Sequence, residues 1–356
     1  MQMGEDSPVS TTVRAQPENG RDQTERPALV PITILTGFLG SGKTTLLNRI
    51  LSTDHGLRVG VLVNDFGAIN IDAKLVVGVE GETVSLENGC VCCTIRDDLV
   101  TETQGLLSRP DRPEYIVVEA SGVSDPKRIA SSFLDSELCA QTRVDGIVAM
   151  VDAANLPTLQ GENLALALDQ ISVADIVVLN KADLIPAKEV SALRERISEL
   201  VPKSRLLTAI YGNVPLALVL GVGSFETLPE GGGMHCDHTD HSADFQTWSW
   251  RTDKPISLSA FREVIGSLPE SIYRSKGILQ LQEYPQYRVE FQLTGRRSSL
   301  SALGMWDEGP HTSELVMISS GETTDFDGLA KSLDDCTKTH TNADQLVDWR
   351  KNPRRN

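Results

Sequence analysis

Ile32-Thr33-Ile34-Leu35-Thr36-Gly37-Phe38-Leu39-Gly40-Ser41-Gly42-Lys43-Thr44-Thr45 passes from an apolar β-type run into the pattern G-x-x-x-x-G-K-[ST], and the chain then continues with helical spacing from Thr44 to Leu51. A phosphate must lie directly against the backbone of such a loop, so glycines stand where a Cβ would block its approach. Successive amides then converge on the anion, and the dipole of the helix that follows favours negative charge. Gly37, Gly40, Ser41, Gly42, Lys43, Thr44 and Thr45 are therefore the candidate nucleotide-binding residues. Lys43 is expected to reach the β- and γ-phosphates as a catalytic residue, and the Thr44 hydroxyl to ligate Mg²⁺.

Outward from this loop, short apolar runs recur at Val59 to Val63, Tyr115 to Val118, Gly146 to Val151, Ile176 to Leu179 and Leu206 to Ile210. Their length and their Ile and Val content fit strands buried on both faces of a parallel sheet. Helical spacing lies between them, as at Lys188 to Val201, where Val190, Leu193, Ile197 and Leu200 recur at three- and four-residue steps. Alternating strand and helix predicts an α/β, doubly wound, mostly parallel P-loop domain.

The strand Ile176-Val177-Val178-Leu179 is followed by Asn180-Lys181-Ala182-Asp183. This N-K-x-D tetrapeptide resembles the guanine-reading motif of GTPases. A carboxylate at Asp183 accepts from the guanine N1–H and exocyclic amine, a pair that adenine cannot present. Two more acids sit at strand ends where a nucleotide site would place them. Asp65 lies in Asn64-Asp65-Phe66-Gly67, and Glu119 closes Ile116-Val117-Val118-Glu119 ahead of Ala120-Ser121-Gly122. Either can hold Mg²⁺ or orient the attacking water. The bland alternative is a helix cap or solvated loop acid. Asp152 also ends a strand without further marks and reads as structural.

The 356 residues hold 49 acids and 33 Lys and Arg, for a net charge of −16, which argues against a protein held to nucleic acid or anionic lipid by overall charge. No apolar run is long enough to span a membrane, and the polar N-terminus lacks the apolar centre of a secretory signal, so a cytoplasmic location is expected. The expected organisation is a disordered lead at 1–30, a P-loop domain at 31–215, an acidic linker at 216–244, a smaller α+β domain at 245–335 and a tail at 336–356. The linker carries five acids, no Lys or Arg and Gly231-Gly232-Gly233. In the second domain Tyr287 to Leu293 and Glu314 to Ile318 read as strands, and Leu258 to Leu268 as a helix.

Asn88-Gly89-Cys90-Val91-Cys92-Cys93-Thr94 packs three of the six cysteines into four residues. Thiolates of this density select Zn²⁺ or Cu⁺ and accept Co²⁺. In an extended segment Cys90 and Cys92 face one way and Cys93 the other, so no closed four-ligand site is encoded locally. An incomplete site suits a metal that is handed on, whereas a structural zinc has four fixed ligands. A redox pair is the rival reading, opposed by the strain of a disulfide between adjacent Cys92 and Cys93. The linker adds His235, Cys236, Asp237, His238, Asp240 and His241, a compositional metal-collecting tract or simply a solvated linker.

Taken in order, G-F-L-G-S-G-K-T-T, N-D-F-G, G-C-V-C-C, E-A-S-G, N-K-A-D and, in the second domain, Tyr273-Arg274-Ser275-Lys276-Gly277 resemble the CobW family of P-loop GTPases from about Pro31 to Leu293. The resemblance implies a GTPase domain joined to a small CobW-type C-terminal domain. It also implies GTP hydrolysis coupled to delivery of a metal to a client protein. Members are linked to zinc homeostasis, to cobalt for cobalamin synthesis and to activation of nitrile hydratase. Two departures stand out. Ala68 follows N-D-F-G where some relatives place an acid, and Arg26-Pro27-Ala28-Leu29-Val30-Pro31 lacks the Cys and Glu of the C-P-E-L-V-P-like stretch with which eukaryotic members dock a methionine aminopeptidase.

The expectation is thus a cytoplasmic, Mg²⁺-dependent GTPase that carries Zn²⁺, with Co²⁺ as the alternative, on Cys90, Cys92 and Cys93. It would cycle between GTP and GDP and deliver the metal to an unidentified client metalloprotein. No nucleic-acid or membrane partner is expected, and a homodimer is left open. The competing class is a regulatory GTP-binding switch whose thiols form a redox or structural site.

Overall fold

Six of the Val- and Ile-rich runs become strands of one sheet, because residues apolar on both faces are satisfied only between two layers of helix. The computed structural model describes residues 11–14, 29–64, 83–86, 94–134, 137–202, 204–221, 245–320 and 324–338. Two units divide the chain, Pro27–Glu230 with Thr294–Arg296 and Met1–Arg26 with Gly231–Leu293 and Arg297–Asn356. The strands in chain order are β1 Thr11–Arg14, β2 Val30–Thr36, β3 Val59–Asn64, β4 Thr83–Leu86, β5 Tyr115–Glu119, β6 Thr142–Asp152, β7 Ile176–Asn180 and β8 Arg205–Thr208. Helices α1 to α6 are Lys43–Ser52, Thr94–Leu107, Pro126–Leu134, Gly161–Ser172, Ala187–Leu200 and Leu216–Leu220.

The first unit holds a seven-stranded sheet of order β4-β3-β5-β2-β6-β7-β8 with parallel pairing. Strands β5 and β7 are buried at every position. The chain leaves the central β2 for β3 and β4 on one side, returns to β5, then crosses to β6, β7 and β8. A crevice opens at such a reversal, outside the carboxyl ends of the strands. Parallel pairing puts all those ends on one edge, which therefore carries the loops after β2, β5 and β7.

Both faces of this sheet are covered. Ile32, Ile34, Ile116 and Val118 pack with Leu99 and Leu106 of α2 and Ile129 and Phe133 of α3, while Val151, Val177 and Leu179 pack with Ile171 of α4 and Leu193 and Ile197 of α5. Each such side chain contributes about 1.5–3 kcal/mol through burial. Residues 216–220, placed at the start of the acidic linker by the sequence reading, form α6, with Leu218, Val219 and Leu220 buried. The Val219 carbonyl accepts a hydrogen bond from the Thr33 hydroxyl at 3.0 Å. The expected strand Leu206 to Ile210 ends at Thr208, and the short β4 lies outside the apolar runs of the sequence.

In the second unit β9 to β13 are Phe245–Thr252, Ile272–Gln280, Tyr287–Thr294, Arg297–Met305 and Ser313–Ser320, with α7 at Leu258–Gly266 and α8 at Phe326–Asp335. The sheet order is β1-β12-β11-β10-β13-β9; β13 runs antiparallel to β10 and β9, and β1 parallel to β12. The lead at 1–30 thus contributes a short strand. Phe261 of α7 meets Phe291 of β11 edge to face at 5.0 Å, in a core shared with Leu315, Met317 and Leu333. Asp325 caps α8 by accepting from the Gly328 amide at 2.9 Å. Just beyond that helix, burial pushes the Cys336 thiol up to about 11, so it is protonated and unreactive at neutral pH. Among the described residues, no helix is long and apolar enough to cross a membrane.

Candidate functional site

The loop after β2 has the backbone its glycines foretell. Gly37 (φ 138°) and Gly42 (φ 102°) lie in the left-handed region, and each is also closed to a side chain: a Cβ at Gly37 would overlap the Met150 carbonyl, and one at Gly42 the Asn180 amide. Gly42 caps α1 without a side-chain hydrogen bond, and the first turn of α1 has no acid. The orphan amides at that terminus are therefore not met by an acid of the helix's own first turn. Ser41 is buried, and its hydroxyl has no hydrogen-bond partner among the described residues. A buried hydroxyl of this kind is costly unless something binds to it, and a phosphate oxygen fits the requirement. Lys43 is buried too, with its Nζ donating to the Gly37 carbonyl at 2.9 Å. The ammonium thus spans the loop it belongs to.

From the next strand, β5, Glu119 reaches the loop. It is buried, and its Oε1 accepts the Thr44 hydroxyl at 2.8 Å. Two hard oxygen donors thus converge beside the anion cradle, a donor set suited to Mg²⁺. Thr45, the next residue, is exposed.

Asn180 ends β7 in full burial. Its amide donates to the Ser41 carbonyl at 2.9 Å, and its Oδ1 accepts from the Gly212 amide at 2.9 Å. It is thereby a strut between the P-loop and the loop after β8. Lys181 adopts a left-handed backbone (φ 58°), and its Nζ pairs with Asp152 Oδ2 at 2.7 Å. Asp152 also accepts from the amides of Ala154 and Asn155 at 3.0 Å each, so this acid is structural, as its sequence context implied. Asp183 lies on a short 3-10 turn, Ala182–Leu184, with its side chain exposed.

The fold therefore assembles Gly37, Gly40, Ser41, Gly42, Lys43, Thr44, Glu119, Asn180, Lys181 and Asp183 on elements that meet at one edge of the sheet. Asp65, Cys90, Cys92, Cys93, His235, His238 and His241 lie outside the described residues. Among the described residues, no group of three or more His, Cys, Asp or Glu is placed to hold a metal ion.

Sequence reasoning missed Gln170. This residue of α4 is 1% exposed, and its amide donates to the carbonyls of Gly122 at 3.0 Å and Ser124 at 3.3 Å, in the loop that follows Glu119. With Gly37, Phe38 and Leu39 it lines a small pocket against the P-loop. The only signal was a polar residue within the apolar stripe that includes Ala167 and Ile171. Gln170→Leu is expected to lower stability by about 1–3 kcal/mol in urea denaturation, because two buried carbonyls lose their donor. It should also slow GTP hydrolysis more than it weakens GDP binding, since the loop it tethers begins at Glu119.

A parallel sheet with this loop, this threonine–carboxylate pair and an N-K-x-D turn at its carboxyl edge defines a P-loop GTPase. Residues 31–208 match the family model "CobW/HypB/UreG, nucleotide-binding domain", and residues 245–337 match "Cobalamin synthesis protein cobW C-terminal domain". The chain belongs to the CobW family. Similar proteins include "Zinc chaperone CobW" of Sinorhizobium sp, 33% identical over 328 residues, covering 81% of this chain and 92% of that protein. "Zinc chaperone YjiA" of Escherichia coli is 31% identical over 302 residues, covering 81% and 93%. "Zinc-regulated GTPase metalloprotein activator 1" of Dictyostelium discoideum is 31% identical over 333 residues, covering 79% and 70%.

Proposed function

We propose that this GTPase is a metallochaperone that carries Zn²⁺, with Co²⁺ the alternative cargo, on Cys90, Cys92 and Cys93 and couples GTP hydrolysis to transfer of the ion to a client metalloprotein. The observation that carries the reading is where β4 ends. The thiol residues follow β4 in sequence, and β4 runs parallel to β3, so its carboxyl end lies at the sheet edge that also bears the P-loop and Glu119. In sequence Asp65 follows Asn64, the last residue of β3. Segments that join such strand ends are where the presence of a γ-phosphate is converted into a change of order. The similarity to proteins named zinc chaperones supports the same reading.

In the hydrolytic cycle, the amides of Gly40 to Thr45 and the Lys43 ammonium would hold the phosphates, with Asn180 keeping the loop in shape. Thr44 and Glu119 are the residues present that would hold Mg²⁺, directly or through water. When bound, that ion neutralises charge on the β- and γ-phosphate oxygens. Thr44 and Glu119 are already joined by a hydrogen bond of 2.8 Å, so both would face the ion together, and Asp65 would orient the attacking water. Asp183 reads the guanine edge. The linker histidines His235, His238 and His241 would form an auxiliary collecting tract for the cargo.

The test replaces Cys90, Cys92 and Cys93 together by serine in the full chain. Zinc stoichiometry by elemental analysis should fall by about one ion per chain, and the response of GTP turnover to Zn²⁺ should vanish, while GDP affinity is retained. Unchanged metal content and response would contradict the reading. Deleting residues 231–241 separately identifies zinc held by the histidines.

A further inference from the structure

Among the described residues, two that are not glycine occupy the left-handed region, and they belong to neighbouring loops. Lys181 (φ 58°) lies in the N-K-x-D tetrapeptide, and Tyr211 (φ 52°) in the loop after β8. These loops are bonded to each other: the Ala182 amide donates to the Ala209 carbonyl at 3.2 Å, and the Gly212 amide to Asn180 Oδ1 at 2.9 Å. A positive φ costs an aromatic residue free energy, and it persists only where the surroundings hold it. Here Ala209 is fixed to the Leu179 carbonyl at 2.9 Å on one side and Gly212 to Asn180 on the other, so the turn is set by its anchors. The side chain gains nothing by burial in return, since Tyr211 is 78% exposed, and Ile210 beside it is 46% exposed. A large ring held on a strained backbone and left in solvent, one residue from the group that ties down the base-reading motif, has the properties of a stacking platform.

We propose that the Tyr211 ring stacks on the guanine base, supplying nucleotide affinity that no phosphate contact provides. This deepens the nucleotide-site reading and rests on Asp183 facing the guanine edge. Planar bases stack on aromatic side chains strongly enough that removing one ring changes affinity by about an order of magnitude.

The experiment measures GDP dissociation constants of the full chain by titration calorimetry for Tyr211→Ala, Tyr211→Gly and Tyr211→Phe. A competing ligand, ribose 5′-triphosphate without a base, is measured by its inhibition of GTP hydrolysis. Stacking predicts that Ala and Gly each raise the GDP constant about tenfold and that Phe stays within about twofold. It also predicts that the base-free ligand binds wild type and Tyr211→Ala alike. Glycine is the decisive control, because it relaxes the backbone at φ 52° while removing the ring. A Tyr211→Gly protein with wild-type GDP affinity would overturn the proposal, as would an alanine variant that weakens both ligands equally. Asp183→Asn separates the two layers of the argument. If it shifts preference from guanine to xanthine nucleotides while the Tyr211 variants do nothing, stacking alone falls; if it shifts nothing, the guanine reading falls and stacking with it.

Discussion

Lys43→Ala is expected to cut GTP turnover by about 10²–10³-fold, the usual cost of deleting one preorganised group that meets developing charge. The side chain is buried with its ammonium already laid across the loop on the Gly37 carbonyl, so the charge is in place before nucleotide arrives. The chain's net charge of −16 works against a triphosphate at long range. Within the loop this matters little, because salt screens distant charges over about 8–10 Å while Lys43 and the amides act in contact. The variant should fold, since an alanine at the first position of α1 keeps good helix propensity. Single-turnover hydrolysis, with circular dichroism to confirm the fold, checks this. Turnover within about threefold of wild type would remove Lys43 from the catalytic apparatus.

Asp183→Asn is expected to weaken GTP binding by about 10²-fold or more, and to leave the chain preferring xanthosine over guanosine nucleotides. In the proposed role the carboxylate would accept two hydrogen bonds from guanine, each worth about 1.5–3 kcal/mol because one partner is charged. An asparagine amide presents a donor to the exocyclic amine, which is itself a donor, so one bond is replaced by a clash of like groups. Xanthine carries a carbonyl at that position and accepts from the new amide. Asp183 is exposed and lies on a short 3-10 turn, so stability should barely change. Competition binding with GTP, ATP and XTP gives the answer directly, and an unchanged order of preference would remove Asp183 from base recognition.

What was legible in the sequence was contiguous. The P-loop and N-K-x-D each place their chemistry within a few residues at the end of an apolar run, so both the strand and the loop after it could be read together. The roles that escaped depend on long-range approach. Asn180 reads as part of a base-recognition motif, yet its side chain joins Ser41 to Gly212, partners 139 and 32 positions away. Gln170 supports the loop after Glu119 from 46 and 48 positions away, and no local pattern distinguishes it from a polar residue on a helix surface. In the second unit the sequence of β11 alternates apolar with polar residues and β13 alternates in burial, whereas β9 and β10 carry Arg, Ser and Gln, and β12 Arg and Ser, and owe their form to their neighbours in the sheet. The motif Tyr273 to Gly277 lies within β10, where a Cβ at Gly277 would overlap the Glu314 carbonyl of β13. That glycine is explained by strand packing.

The acidic character of the chain also takes a more local meaning. Glu226, Glu230, Asp237, Asp240 and Asp244 fall in the linker with no Lys or Arg, beside three of the six histidines. On the proposed reading, an acidic, histidine-bearing tract of this kind would collect divalent cations. Cys336 takes no part in that chemistry, since burial holds its thiol protonated far above neutral pH.

Coupling between nucleotide and cargo is the centre of the account, and linkage makes it measurable as one ratio. The Zn²⁺ dissociation constant of the full chain should be determined by competition with a chromophoric chelator, once with Mg²⁺ and a non-hydrolysable GTP analogue and once with Mg²⁺ and GDP. The account predicts binding tighter by about tenfold or more in the triphosphate state, within the usual range of coupling energies. Equal constants in the two states would contradict it, because an ion that binds both states alike cannot be released by passing from one to the other.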